Sequence, residues 1–394
     1  MRSAHAFRFA PLVAAALACV AGALDAGCSN DDTSPSSAPD ASRDVAVEAA
    51  PALDGATPSD VATVDAADAL ANCGDPKATV PPELRCTGLY ADPATKTVAA
   101  ENRAYTPGLV FWSDGADKAR WLYLPPGATI DTSDMDEWSF PIGTKAWKEF
   151  KIAGKRIETR FFWKRDDSGW VWTTYRWTDD ESTATRLDDG AKVGAYEIPN
   201  SDGCVSCHNG RVDRLLGVEA IALALPTATG VTLATLKADG RLSAPPAYST
   251  LSLPDDAPGK AAPALGWLHV NCGVTCHNGS TFAEAAYSKL FMRLSAKGYL
   301  ADGGTPLVTQ TDTYKTAAAD GGVPIGDSGT YQSYRVAGYK RITPGDAAHS
   351  LVPALAASRV TDGGSRFQQM PPLVTHTVDD AGLDAVRAWI GVLK

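Results

Sequence analysis

Five residues near the middle of the chain have the spacing needed to hold a haem covalently. Cys204-Val205-Ser206-Cys207-His208 places two thiols two residues apart and an imidazole directly after the second. Thiols at this spacing reach the two vinyl groups of haem, and the adjacent imidazole then lies beneath the iron. A zinc site would need four ligands, and a redox-active Cys-x-x-Cys pair belongs to a thioredoxin-like α/β unit, which does not surround Cys204. The pattern therefore favours haem c at Cys204, Cys207 and His208.

A second, irregular motif occupies residues 272–277. Its sequence, Cys-Gly-Val-Thr-Cys-His, has one residue more between the cysteines, but Cys276 and His277 stay adjacent. Because Gly273 is flexible, we expect the extra residue to loop outward while both thiols still reach the vinyl groups. The alternative is a loop closed by a Cys272–Cys276 disulfide. The motif thus predicts a second haem at Cys272, Cys276 and His277.

A methionine loop near the C terminus is the predicted source of a further ligand for the second haem. In Gln369-Met370-Pro371-Pro372, the two prolines stiffen the segment after Met370 and hold its thioether toward the iron instead of the core. His/Met ligation raises the haem potential and favours electron transfer over ligand binding. The first haem has an open iron or a sixth ligand from a weaker set of candidates: His269, Met292, His349 and His376.

The stretch 105–196 is predicted to be a β domain. It holds eight of the ten tryptophans and several short β-rich runs separated by turn residues. The runs 145–152 and 155–165 flank Ala153-Gly154, and the run 170–177 follows a polar turn, so both junctions are predicted hairpins. We interpret the aromatic residues as sandwich core and cross-strand pairs, with a carbohydrate or cofactor platform as the alternative.

The chain closes with a predicted amphipathic helix. Asp379 or Asp380 can cap its N terminus, and apolar residues recur at helical spacing from Leu383 to Leu393. Such an apolar stripe needs a partner to cover it. A short helix over Pro263–Asn271, just before the second motif, is the predicted partner.

Several further runs resemble one protein family. The second motif, the run 341–346 (Arg-Ile-Thr-Pro-Gly-Asp), the Met-Pro-Pro run at 370–372 and the closing helix look like the cytochrome c domain of many exported bacterial proteins. The upstream runs resemble a family of exported dihaem c-type cytochromes with an aromatic β-rich N-terminal region; they are 112–115, 123–127, 140–144 and 198–200. The resemblance covers the chain from Tyr105 to its end and implies haem binding and electron transfer. This chain departs from it in the widened second motif.

The first 72 residues carry the features of an exported protein. Arg2 and Arg8 precede an apolar run, small residues and a cysteine, which is the order of an export signal and not of a membrane span. Cys28 is the favoured lipidation site, with Cys19 or plain cleavage as alternatives. Residues 29–72 hold nine acidic residues, one arginine and no aromatic residue, so we expect a disordered tether that carries most of the net negative charge.

The expected fold class is α+β and multidomain, with an all-β, sandwich-like domain before a mainly α-helical cytochrome c-like domain. The predicted segments are the signal (1–28), the tether (29–72), the β-rich domain (73–200), the first haem-attachment segment (201–260) and the cytochrome c-like domain (261–394). Cys73 and Cys86 lie outside both motifs. In an oxidising compartment a disulfide is the default for such a pair, and a metal site is less favoured because no histidine lies nearby.

The sequence favours an electron carrier over an enzyme. A methionine-ligated haem has no open position for a substrate, so electrons would pass to redox partner proteins in the periplasm or at the cell surface. A lipidated Cys28 would attach the chain to a membrane, as in an outer-membrane lipoprotein. The alternatives are a dihaem peroxidase-like oxidoreductase with an open first haem, and a surface binding module with vestigial haem sites. No basic run with interleaved aromatics indicates nucleic-acid binding.

Overall fold

The computed structural model describes residues 73–74, 80–166, 169–299, 302–360, 365 and 368–394. These residues all fall within the unit Thr63–Lys394. The predicted signal, including Cys28, and the predicted tether lie outside the described residues. Within the described ranges, no helix combines the length and the apolar character needed to cross a membrane.

Among the described residues, seven strands form one antiparallel sheet and four further strands form two separate pairs. The strands are β1 (Tyr90–Asp92), β2 (Thr97–Val98), β3 (Arg103–Thr106), β4 (Asp117–Tyr123), β5 (Lys145–Ile152), β6 (Lys155–Asp166), β7 (Gly169–Trp177), β8 (Ala184–Leu187), β9 (Ala191–Val193), β10 (Tyr196–Ile198) and β11 (Thr229–Gly230). The large sheet has the order β11-β3-β4-β5-β6-β7-β8, while β1 pairs with β2 and β9 with β10. Because β11 lies beyond the first motif in the chain, the sheet includes residues from outside the predicted β-rich segment.

Both predicted hairpins are confirmed. β5 and β6 meet at Ala153-Gly154, with Ile152 opposite Lys155. Ala153 and Gly154 have φ angles of 49° and 79°, and positive φ at both positions is what the two-residue turn between right-twisted strands requires. The next strand, β7, begins with Gly169 opposite the last residue of β6.

Different parts of the chain cover the two faces of the sheet. On one face, four aromatic residues pack with Leu84 and Leu89; they are Trp147, Phe161, Tyr175 and Trp177. Beside them the predicted disulfide between Cys73 and Cys86 is confirmed. The opposite face, here called the cavity face, packs against helices and loops from the second half of the chain. A mixed α+β fold results, and in the described residues helices and loops take the place of the second sheet that a sandwich would have.

The described α-helices are short except for the last. They are α1 (Ser201–His208), α2 (Ala220–Ala224), α3 (Leu233–Ala238), α4 (Ala261–Leu268), α5 (Gln332–Val336), α6 (Leu351–Ala357) and α7 (Asp380–Val392). Asp379 caps α7 by accepting the Gly382 N–H, as predicted. The predicted partner is also confirmed, because α4 packs on α7 and the Trp267 indole N–H donates to the Asp379 carboxylate at 2.7 Å.

Candidate functional site

The first motif lies on α1, in contact with the cavity face. Asn200 caps this helix, its side chain accepting the Gly203 N–H at 2.9 Å. The His208 ring stacks on Phe162 of β6 with 4.3 Å between ring centroids, and its Nδ1 lies 2.5 Å from the Arg214 carbonyl oxygen. A carbonyl oxygen can only accept, so Nδ1 carries the proton and Nε2 keeps its lone pair.

The second motif follows α4 through a π-helical turn. The Cys272 carbonyl accepts the N–H groups of Cys276, at 3.2 Å, and His277, at 2.8 Å. The extra residue is therefore taken up by a wider helical turn. The prediction that it loops outward is wrong, because Gly273 is buried and a Cβ there would overlap the backbone of residues 292–293.

His277 is oriented in the same way as His208. Its Nδ1 lies 3.2 Å from the Leu290 carbonyl oxygen, which leaves Nε2 as the nitrogen with a lone pair. Burial lowers the pKa of His208 to about 3 and the pKa of His277 to about 4. Both rings are thus neutral near pH 7. Metal-binding imidazoles are commonly held by such a hydrogen bond on the nitrogen that does not bind the metal.

One cavity of about 480 Å³ brings the predicted site residues together. Pockets of this size hold small-molecule ligands and cofactors. Its lining includes both sets of motif residues and the predicted methionine: Cys204, Cys207, His208, Cys272, Cys276, His277 and Met370. The two motifs therefore face the same space.

The two motifs also touch directly. Gly210, which follows the first motif in a His-Asn-Gly run, packs against the Thr275 carbonyl of the second motif, and a Cβ on Gly210 would overlap that carbonyl. Burial, and then the nearby Cys276 thiol, raise the pKa of Cys207 to about 12. Groups attached to the two motifs would therefore be neighbours.

Replacing Gly210 with alanine is expected to destabilise the protein by about 1–3 kcal/mol, the usual cost of forcing an extra carbon into a packed site. Gly279 follows the second motif in the same His-Asn-Gly run, but a Cβ there meets no described residue within 4 Å. Gly279→Ala is therefore the matched control. Urea unfolding followed by circular dichroism gives both free energies, and equal values would contradict the close packing of the motifs.

No family model, curated protein or solved structure matches this chain. The thiols, imidazoles and thioether that line the cavity therefore indicate what it can bind.

The motif cysteines have the character of buried thiols. In the described structure Cys204, Cys207, Cys272 and Cys276 form no disulfide, so the alternative Cys272–Cys276 bridge is not formed. Burial raises the pKa of Cys272 to about 12, whereas a redox-active Cys-x-x-Cys pair has a lowered thiol pKa. Nor do three or more His, Cys, Asp or Glu side chains gather into a metal site anywhere in the described ranges. These donors fit a cofactor that brings its own metal better than a bare zinc ion, which needs four ligands.

The loop that carries Met370 is fixed by its own hydrogen bonds. Met370 N donates to the Leu355 carbonyl of α6 at 2.9 Å. The Gln369 side chain donates to the carbonyl oxygens of Pro371, at 3.0 Å, and Thr375, at 3.1 Å. These contacts hold the backbone that presents Met370 at the cavity wall.

Asp114 fixes the other end of this loop, a role that sequence reasoning missed. Its carboxylate accepts the N–H groups of His376 and Thr377, both at 3.0 Å. The neighbouring Trp112 donates its indole N–H to the Thr377 carbonyl at 3.0 Å and its backbone N–H to the Asn271 side chain at 2.7 Å. The only signal in the sequence was the Trp-Ser-Asp-Gly run at 112–115, which marked the family resemblance.

The candidates for a sixth ligand at the first motif occupy different surroundings. Met292 is buried and lines the cavity. His269 is buried in the core, where both ring nitrogens have hydrogen-bond partners. His349 and His376 are exposed, and each pairs with a carboxylate. Of the four, Met292 is the one that lines the described cavity, and its backbone N–H donates to the His277 carbonyl of the second motif at 2.8 Å.

Basic side chains that sequence reasoning did not assign to the site also line the cavity. They are Lys148, Arg160 and Arg341. Strand alternation places Lys148 and Arg160 on the cavity face with Phe162. The alternation of side chains along β5 and β6 can be predicted from the sequence, but no neighbouring residues indicate which face of the sheet lines a cavity.

Proposed function

We propose that this protein is an exported dihaem c-type cytochrome that transfers electrons. One observation carries the proposal: two Cys/Cys/His sets face one cavity, and each histidine is tied through Nδ1 to a backbone carbonyl. One haem would be held by Cys204, Cys207 and His208, and the second by Cys272, Cys276 and His277. Haem supplies the one-electron iron couple when it is bound.

The chain's own residues have distinct parts in this proposal. Each cysteine pair would anchor a haem by two thioether bonds, and each neutral imidazole would present Nε2 to the iron. Met370, held by its loop, would be the sixth ligand at the second motif. The pair of α4 and α7 with the Met370 loop would correspond to the cytochrome c-like region. The apolar wall of the cavity would keep water away from the irons.

Export and the redox partners belong to the same proposal. Disulfides persist in oxidising compartments, and the Cys73–Cys86 bond is compatible with a periplasmic or cell-surface location. Redox partner proteins would exchange electrons with the haems by outer-sphere transfer.

Counting covalent haems tests the proposal. The full chain is produced in a host able to mature c-type cytochromes, separated on a denaturing gel, stained for haem and weighed by mass spectrometry. Two haems are expected in the native sequence and one each in the double variants Cys204→Ser/Cys207→Ser and Cys272→Ser/Cys276→Ser. The double variant Cys73→Ser/Cys86→Ser removes two cysteines outside the cavity and should keep both haems. A native chain with no covalent haem would refute the proposal.

A further inference from the structure

Three basic residues form a row across the cavity face. Arg120 of β4 lies opposite Lys148 of β5, and Lys148 lies opposite Arg160 of β6. Directly opposed side chains of neighbouring strands have Cβ atoms about 4.5–5.5 Å apart, and like charges in such positions repel. Lys118, two residues before Arg120 on β4, adds a fourth cation to the same face.

This row has too few negative partners among the described residues. Glu158 pairs with Arg160 at 2.6 Å and also accepts the Tyr196 hydroxyl at 2.6 Å. Arg120 is 5% exposed, and one of its guanidinium nitrogens is buried with no hydrogen-bond partner in the part of the chain that the structure describes.

Lys148 forms no hydrogen bond or ion pair in the described part of the chain. Its ammonium lies 4.9 Å from the centre of the Phe150 ring and 5.4 Å from that of Phe111. Burial, and then the neighbouring cations, lower the pKa of Lys148 well below its usual value. Arg120 is buried and Lys148 is half-buried, and cations in such surroundings are costly without a negative partner, so an anion bound at this face of the cavity would stabilise it.

The row lies close to the first motif. Lys148 and Arg160 line the cavity that His208 faces. Arg160 is two residues from Phe162 on β6, and Phe162 stacks on the His208 ring. Two residues along a strand span roughly 7 Å, so the Arg160 backbone lies roughly that far from the residue that stacks on the imidazole.

We propose that Arg120, Lys148 and Arg160 bind the propionate carboxylates of the haem held at His208. This inference rests on the proposed function. Two propionates together with Glu158 would bring three negative charges to the three cations of the row. Lys148 is the residue to test, because it forms no hydrogen bond or ion pair with the described residues. A free oxyanion in the same cavity is the competing source of negative charge.

The test uses the holoprotein with Lys148→Met and measures both haem potentials between about pH 5 and 8. Loss of one positive charge roughly 10 Å from a haem iron changes the redox equilibrium constant of that iron about tenfold. The oxidised iron is then favoured, so the potential of one haem should fall by about 59 mV for its single electron. Without the Lys148 ammonium, the propionate carboxylate would titrate between about pH 5 and 8. The potential of that haem should then fall as the pH rises, whereas the potential in the native protein should stay constant. Lys148→Arg keeps the charge and should resemble the native protein.

Lys155→Met is the matched control, because Lys155 is an exposed lysine at the start of β6. It should leave both potentials unchanged. If Lys148→Met fails to accumulate, Arg120→Met removes another cation of the row and is expected to give the same shift.

Three outcomes distinguish propionate binding, the binding of a free oxyanion and failure of the proposed function. Unchanged potentials and pH profile in a Lys148→Met protein that carries two haems would overturn the inference and leave the proposed function standing. A native protein whose potential follows added sodium sulfate would assign the row to a free oxyanion and also overturn it. A native protein without covalent haem would instead refute the proposed function.

Discussion

Replacing Met370 with alanine is expected to let carbon monoxide bind one more haem iron per molecule than in the native protein. The expectation follows from the proposed function, in which the thioether occupies the sixth position at the second motif. A coordinating methionine blocks that position and raises the haem potential, so its removal should open the iron to a gas ligand and lower the potential. The loop should keep its conformation, since the Met370 N–H bond to Leu355 belongs to the backbone. Titration of the reduced protein with carbon monoxide gives the number of open irons.

The matched control is Met135→Ala. Met135 packs against the main core and is not among the residues lining the described cavity, so this variant should bind as much carbon monoxide as the native protein. No gain in Met370→Ala would show that Met370 is not a ligand. Carbon monoxide binding by the native protein itself would indicate an open first haem and favour the peroxidase-like alternative.

Asp213→Ala is expected to cost about 3–5 kcal/mol of stability, the usual effect of removing one partner from a buried ion pair. Asp213 follows the first motif and accepts hydrogen bonds from Lys164 Nζ at 2.8 Å and Trp170 Nε1 at 2.6 Å. It also accepts the Phe140 backbone N–H. The substitution therefore leaves a cation and two N–H donors without their acceptor, and it releases the first motif from the sheet.

Asp384→Ala is the matched control for this charge. Asp384 pairs with Arg387 on the exposed side of α7 at 3.3 Å, and such surface pairs contribute at most about 1 kcal/mol. Thermal and urea unfolding followed by circular dichroism compare the two variants. A loss in Asp213→Ala no larger than that in Asp384→Ala would mean that the carboxylate does not hold the motif to the sheet.

Local patterns predicted the elements of this fold well. The 153–154 turn lies between two β-rich runs, so the hairpin could be predicted from a few adjacent residues. The closing helix and its Asp379 cap could be predicted in the same way, because helical spacing and a capping carboxylate involve residues that are close together in the sequence. The Cys73–Cys86 disulfide follows from elimination, because the other cysteines near the folded part belong to motifs.

Long-range contacts could not be predicted in the same way. The pairing of β11 with β3 depends on a return of the chain that no local pattern encodes. The contact of Gly210 with Thr275 and the hold of Asp114 on the Met370 loop join residues far apart in sequence. The conformation at Gly273 could not be predicted for the same reason. The backbone of residues 292–293 packs against Gly273, and this distant contact leaves no room for the inserted residue to loop outward.

The position of β11 has a consequence for the order of events during biogenesis. α1 lies in the chain between β10 and β11, and β11 returns to the sheet by pairing Thr229 with Thr106 and Gly230 with Tyr105. Because β11 follows α1 in the chain, the first motif is synthesised before β3 can receive β11 as its partner strand. The sheet therefore stays incomplete at this edge until the residues beyond the first motif have been made.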